Sequence, residues 1–168
     1  MAAGSTYSQI ASTTISTPTN TVSFNSIPST YTDLVVVLTA NAAAGNYHLL
    51  KINNDTGSNY SRTWLYGNGS TTSSGKQANA SGPIYFSVDL IASASNTFSV
   101  EILNINNYSN TSTYKTIMTR GNSTPELLGI TYSSWRSTAA INSLVLTTDA
   151  AGNYSAGSTF SLYGITAA

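Results

Sequence analysis

The sequence predicts an all-β fold, an antiparallel β-sandwich of jelly-roll-like form, on three observations. Short segments rich in Val, Ile, Thr and aromatic residues recur along the whole chain. Gly/Asn turn chemistry separates them, supplying the positive φ that tight connections require. No window carries a helical period, and short strands at this spacing belong to sandwiches and jelly rolls.

Taken in order, β character runs over Tyr7–Ile15 and Thr21–Phe24, then breaks at Ile27-Pro28-Ser29. Asp33-Leu-Val-Val-Val-Leu-Thr39 follows, apolar on both faces, which marks a central strand that is covered on both sides or faces a partner. The next segments are Tyr47–Ile52, Tyr60–Tyr66 and Ile84–Leu90. Phe98–Ile105 alternates, with Phe98, Val100, Ile102 and Asn104 on one face. Tyr114–Met118, Leu127–Tyr132, Ile141–Leu146 and Phe160–Ile165 complete the set. Turns are expected at Ala44-Gly45-Asn46, Asn53–Gly57, Gly67–Ser70, Ser81-Gly82-Pro83, Arg120-Gly121-Asn122 and Ala151-Gly152-Asn153. The Ser/Thr/Gly-rich stretch Gly67–Gly82 reads as an exposed loop. Asn-Tyr-Ser recurs at Asn59, Asn107 and Asn153, but the flanks differ, so the recurrence reads as composition.

The 168 residues fit a single sandwich domain over 20–168, with 1–19 as an N-terminal arm or first strand. Charged residues are 7%, against about 25% in an average domain. The formal net charge is zero, and 11 Tyr, 4 Phe and 2 Trp argue for a folded chain over a disordered polar one. A surface clothed in Ser, Thr and Asn suits a protein that works packed against neighbours, because charge is what normally keeps soluble proteins apart. With no cysteine, disulfides, thiolate metal sites and thiol catalysis are excluded. No stretch reaches the roughly 18 apolar residues of a membrane helix, so no membrane partner is expected. Met1–Ile10 has no signal-peptide pattern, so synthesis in the cytoplasm, or release by a route that needs no signal peptide, is expected.

The inventory for catalysis is thin, and no enzyme is expected. His48 is the one histidine, and an isolated strand histidine is more often a surface or hydrogen-bonded residue than a general base. Asp33, Asp55, Asp89, Glu101, Glu126 and Asp149 are scattered, with no pair in i, i+2 reach. No serine sits in a nucleophile elbow, and no phosphate-binding glycine loop occurs. Asn53–Gly57 and Asp149 with Asn153 offer oxygens, but an Asx turn explains them better than calcium, and no cofactor is expected. Lys51, Arg62, Lys76, Lys115, Arg120 and Arg136 are dispersed and balanced by acids, so nucleic acid is not an expected partner. The candidate contact residues are aromatic: Tyr60, Trp64 and Tyr66 in one group, Tyr132 and Trp135 in another. Such rings stack on sugars or anchor interfaces when exposed, and pack cross-strand when not.

Three segments carry a family resemblance. Phe24-Asn-Ser-Ile-Pro-Ser-Thr-Tyr-Thr-Asp-Leu-Val-Val-Val-Leu-Thr39 is the first. The second is Ile52-Asn-Asn-Asp-Thr-Gly-Ser-Asn-Tyr-Ser61 with Trp64-Leu-Tyr-Gly67. The third is Ile141-Asn-Ser-Leu-Val-Leu146 with Gly157-Ser-Thr-Phe-Ser-Leu-Tyr-Gly-Ile165. Together they resemble a family of small tailed-bacteriophage virion structural proteins. The resemblance implies a jelly-roll domain on a phage particle, as capsid decoration (cement) or as a fibre or tail part. It also implies a homotrimer, with the major capsid protein or other virion proteins as partners, and transfers no catalytic residue. The contrasting expectation is a carbohydrate-binding module for host attachment, with a glycan as partner. It requires exposed, coplanar rings near Trp64 or Trp135.

Overall fold

A computed structural model describes residues 6–42, 47–87, 91–94, 97–124, 127–149 and 152–166, with the backbone alone described at 123 and 124. The expected turn at 44–46, the end of the Ile84–Leu90 segment, Ala151, Asp89 and Glu126 lie outside these residues.

Twelve strands are present among the described residues. They are β1 (Tyr7–Thr14), β2 (Thr21–Phe24), β3 (Asp33–Ala40), β4 (His48–Ile52), β5 (Tyr60–Gly67) and β6 (Thr72–Ala80), followed by β7 (Ile84–Tyr85), β8 (Ser99–Asn106), β9 (Lys115–Thr124), β10 (Leu127–Trp135), β11 (Leu144–Thr148) and β12 (Thr159–Ile165). They form an eight-stranded sheet, ordered β1-β12-β3-β8-β9-β10-β5-β6, and a four-stranded sheet, ordered β2-β11-β4-β7. All pairings are antiparallel, and the two sheets pack as a sandwich. The pairs β3·β12, β4·β11, β5·β10 and β8·β9 are nested about one hairpin, the pairing logic of a jelly roll. Three of those pairs share the larger sheet instead of dividing evenly between the two.

Alternation decides what is core. In the larger sheet Leu34, Val36, Leu38, Leu103, Ile105, Ile117, Phe160 and Leu162 point inward. They meet Val22, Phe24, Leu50, Ile52, Leu144 and Leu146 of the smaller sheet. Burial of this apolar surface is the main source of stability, at roughly 25 cal/mol per Å² removed from water. Tyr7–Thr14, left open as arm or first strand by the sequence, pairs along β12 as an edge strand.

Two expectations change. Gly67–Gly82 is not a loop, because Asn68–Thr71 turns and Thr72–Ala80 returns along β5 as a nine-residue edge strand. Its residues are mostly exposed, so pairing supplies the strand and no apolar alternation announces it. The Asn68 side chain organises the turn, its Oδ1 accepting from the N–H and hydroxyl of both Ser70 and Thr71. Arg120-Gly121-Asn122 is not a turn either, for it continues β9. Gly121 pairs with Gly129 on one side and buried Glu101 on the other, and its lack of a Cβ leaves room for the Glu101 side chain.

The three Asn-Tyr-Ser sites share a structural role that composition conceals. Tyr60, Tyr108 and Tyr154 are all fully buried. The Tyr60 hydroxyl accepts from the Ile52 N–H at 3.1 Å and donates to the Asp55 carbonyl at 3.2 Å. That of Tyr108 accepts from the Tyr31 N–H at 3.3 Å and donates to the Pro28 carbonyl. Tyr154 shares a hydrogen bond with His48 Nδ1 at 3.1 Å.

A Cβ added at Gly121 would lie 2.3 Å from the Val100 carbonyl oxygen, a backbone atom that can move only by parting β8 from β9. Gly121→Ala is therefore expected to cost about 1–3 kcal/mol. A urea midpoint equal to that of the unsubstituted protein would disprove the close approach.

Candidate functional site: the outer face of the larger sheet

Of the five aromatic candidates, four point into the sandwich. Strand register puts Tyr60, Arg62, Trp64 and Tyr66 of β5 on the same face as Thr131, Ser133 and Trp135 of β10, facing inward. Trp135 is buried and its indole N–H donates to Asp55 Oδ2 at 2.7 Å. Trp64 is half-buried, and a Cβ at Gly75 would lie 2.3 Å from its ring. The Arg62 guanidinium lies over that ring at 4.3 Å and over Tyr85 at 4.8 Å. These cation–π contacts tie β5 to β7 and engage the indole as framework. Tyr132 alone of the five faces outward, about half exposed, so it and Trp135 do not form one group.

Tyr132 belongs to a surface that the aromatic pattern did not reveal. Three transverse rows cross the outer face of the larger sheet. The middle row runs Val37, Ile102, Arg120, Ile130, Leu65. On one side lie Val35, Asn104, Met118, Tyr132 and Thr63, and on the other Thr39, Val100, Asn122 and Leu128. Leu65, Val100, Leu128 and Tyr132 are 52%, 41%, 63% and 49% exposed, so the band is open to solvent on β8, β10 and β5, while Val35 at its β3 end is buried. Two shallow depressions indent it. One, of about 340 Å³, involves Thr63, Lys76, Thr116, Tyr132 and Ser134, and the other, of about 430 Å³, involves Val100, Ile102, Arg120 and Leu128. The signal was present in Val100 and Ile102, whose alternation the sequence shows. Their face is the outer one, and Glu101, Leu103 and Ile105 hold the inner one.

The titratable groups are held by the framework. Burial would raise Asp55, but hydrogen bonds from Trp135, Asn59 and the Gly57 N–H outweigh it and hold the carboxyl below its usual range. The carboxylate accepts from three N–H donors, and the bond from the Gly57 N–H, two residues on, closes an Asx turn. The Asp149 carboxylate accepts from the Tyr47 N–H at 2.6 Å, and that of Asp33 from the Asn107 N–H at 2.7 Å. Desolvation pushes the Tyr60 hydroxyl up to about 12. Lys115 is buried, and its ammonium donates to the carbonyls of Asn110 and Thr113 at 2.7 and 2.8 Å.

His48 is a core residue, not a surface one. It is fully buried, stacked on Phe86 and Tyr154 at 5.3 and 5.5 Å, and its Nε2 has no hydrogen-bond partner. Desolvation lowers its pKa from 6.5 to about 3. Its side-chain partner is the Tyr154 hydroxyl, so it is a buried, hydrogen-bonded histidine.

Compared with protein-family models, with curated proteins and with solved structures, the chain matches none.

Because the folded protein refuses a proton at His48 that the unfolded chain binds below pH 6.5, this contribution to stability is complete above pH 6.5 and is lost as the pH falls toward 3. The expected slope is about 1.4 kcal/mol per pH unit within that window. Urea midpoints from pH 7 to 4 should show His48→Gln losing this part of the slope, and parallel slopes for the two proteins would refute it.

Proposed function

We propose that this chain is a structural protein of a tailed-phage virion, a capsid decoration (cement) protein that stabilises the head surface by protein–protein contact. One observation carries the reading: the exposed apolar side chains Leu65, Val100, Leu128 and Tyr132 gather on one face of the larger sheet. Open apolar faces of this kind mark interaction surfaces. The sequence resemblance to small phage virion proteins points the same way, as does a surface that buries little charge on assembly. The partners in this reading are copies of the chain, as a homotrimer, and the major capsid protein or other virion proteins. The mechanism is mechanical, each cluster bridging neighbouring capsomers and adding contact area that resists internal pressure.

The experiment is to add purified protein to particles that lack it and image them by cryo-electron microscopy. Density repeating over the capsid lattice is the expected result. Density confined to the tail, or no density, would overturn the decoration reading.

A tail or fibre component binding a host glycan is the second reading. It is favoured by exposed Tyr132 beside the groove formed with Thr63, Thr116, Ser134 and Lys76, an aromatic platform rimmed by hydroxyls. This reading expects binding on a glycan array that Tyr132→Ala abolishes, and an array blank for the unsubstituted protein would dismiss it.

A further inference from the structure

The outer face carries a charge pattern that selects among partners. Arg120 stands in the middle row between Ile102 and Ile130, exposed, with one guanidinium N–H donated to Asn104 Oδ1 at 3.3 Å. Lys76, opposite Thr63, is a second cation on this face. The described carboxylate at its rim, Asp33, already accepts from the Asn107 N–H. The face is therefore apolar, with a cation at its centre and no carboxylate beside it among the described residues.

We propose that this face docks onto a different protein, one whose apolar surface presents a carboxylate to Arg120. Resting on the virion reading above, that protein is the major capsid protein. Covering Arg120 removes water from its guanidinium, which is costly unless an acceptor replaces it. A carboxylate does so with two parallel hydrogen bonds. A second copy stacked on the same face does not, because a two-fold axis through β9 sets Arg120 against Arg120. At about 4.8 Å between strands and about 6.8 Å between outward residues, three rows across the five strands β3, β8, β9, β10 and β5 cover on the order of 500 Å², the extent of a small interface that relies on many copies bound to one particle. Arg120 then occupies the central, desolvated position where single residues dominate affinity, with Leu65, Ile130 and Val100 excluding water around it.

The test is co-sedimentation with particles lacking the chain, at graded protein concentration. Arg120→Glu and Leu65→Lys are expected to weaken binding by about 100-fold or more, and Arg120→Lys by about 10-fold through loss of the paired hydrogen bonds. Lys51→Glu, on the outer face of the smaller sheet, should change it less than about two-fold. Circular dichroism and thermal melting confirm that the outward-facing variants remain folded. Unchanged binding by Arg120→Glu, with the unsubstituted protein still bound, overturns the docking face and leaves the virion reading standing. Failure of the unsubstituted protein to bind overturns both. A self-associated protein that Arg120→Glu converts to the 17.6 kDa monomer would put a second copy on the face and overturn the assignment of partner.

Discussion

Three tyrosine hydroxyls satisfy buried polar groups at places where the sandwich would otherwise be hard to close. Tyr60 takes up the N–H of Ile52 and the carbonyl of Asp55, where β4 gives way to a turn. Tyr108 does the same for the loop at Pro28 and Tyr31 before β3. Tyr154 meets His48 in the core. A buried backbone group without a partner costs about 1–3 kcal/mol. A long phenol reaches such groups from the far side of the core while burying a large apolar ring. The chain has little charge and no cysteine, so aromatic rings with a polar tip do work that disulfides and ion pairs perform elsewhere.

The same economy shapes the interior and the surface. Asp33, Asp55 and Asp149 each accept backbone N–H groups in connecting segments, and Asn68 and Asn110 each accept from two following residues. These three carboxylates are thereby committed to loops. Arg62 is drawn to the Trp64 and Tyr85 rings, Lys115 to carbonyl oxygens inside, and Arg120 is left on an open apolar face. A chain with zero formal charge therefore presents a cation at the middle of its broadest sheet.

Much of the fold was legible in the sequence. Thr21–Phe24 and the run beginning at Asp33 show the period and the β-branched content that strands require, and the structure places strands there. Two segments were not legible. Thr72–Ala80 has no apolar alternation, because an edge strand with both faces largely in water needs none. Gly121 looked like a turn residue, yet it lies in a strand where Glu101 needs space. The aromatic cluster around Trp64 was visible as residues and not as an arrangement. Its orientation depended on Gly75 and Arg62 lying against the ring.

The sequence by itself determined the class of fold, since this depends on local period and on residue type. Only the tertiary structure decided which face of each strand is inside. Alternation fixes that successive side chains diverge, but both faces of Leu34–Leu38 and of Phe98–Ile105 are partly apolar, so the local pattern cannot choose between them. The choice falls to the smaller sheet, which covers one face of its larger partner and leaves Val100, Ile102, Arg120, Ile130 and Leu65 together on the other.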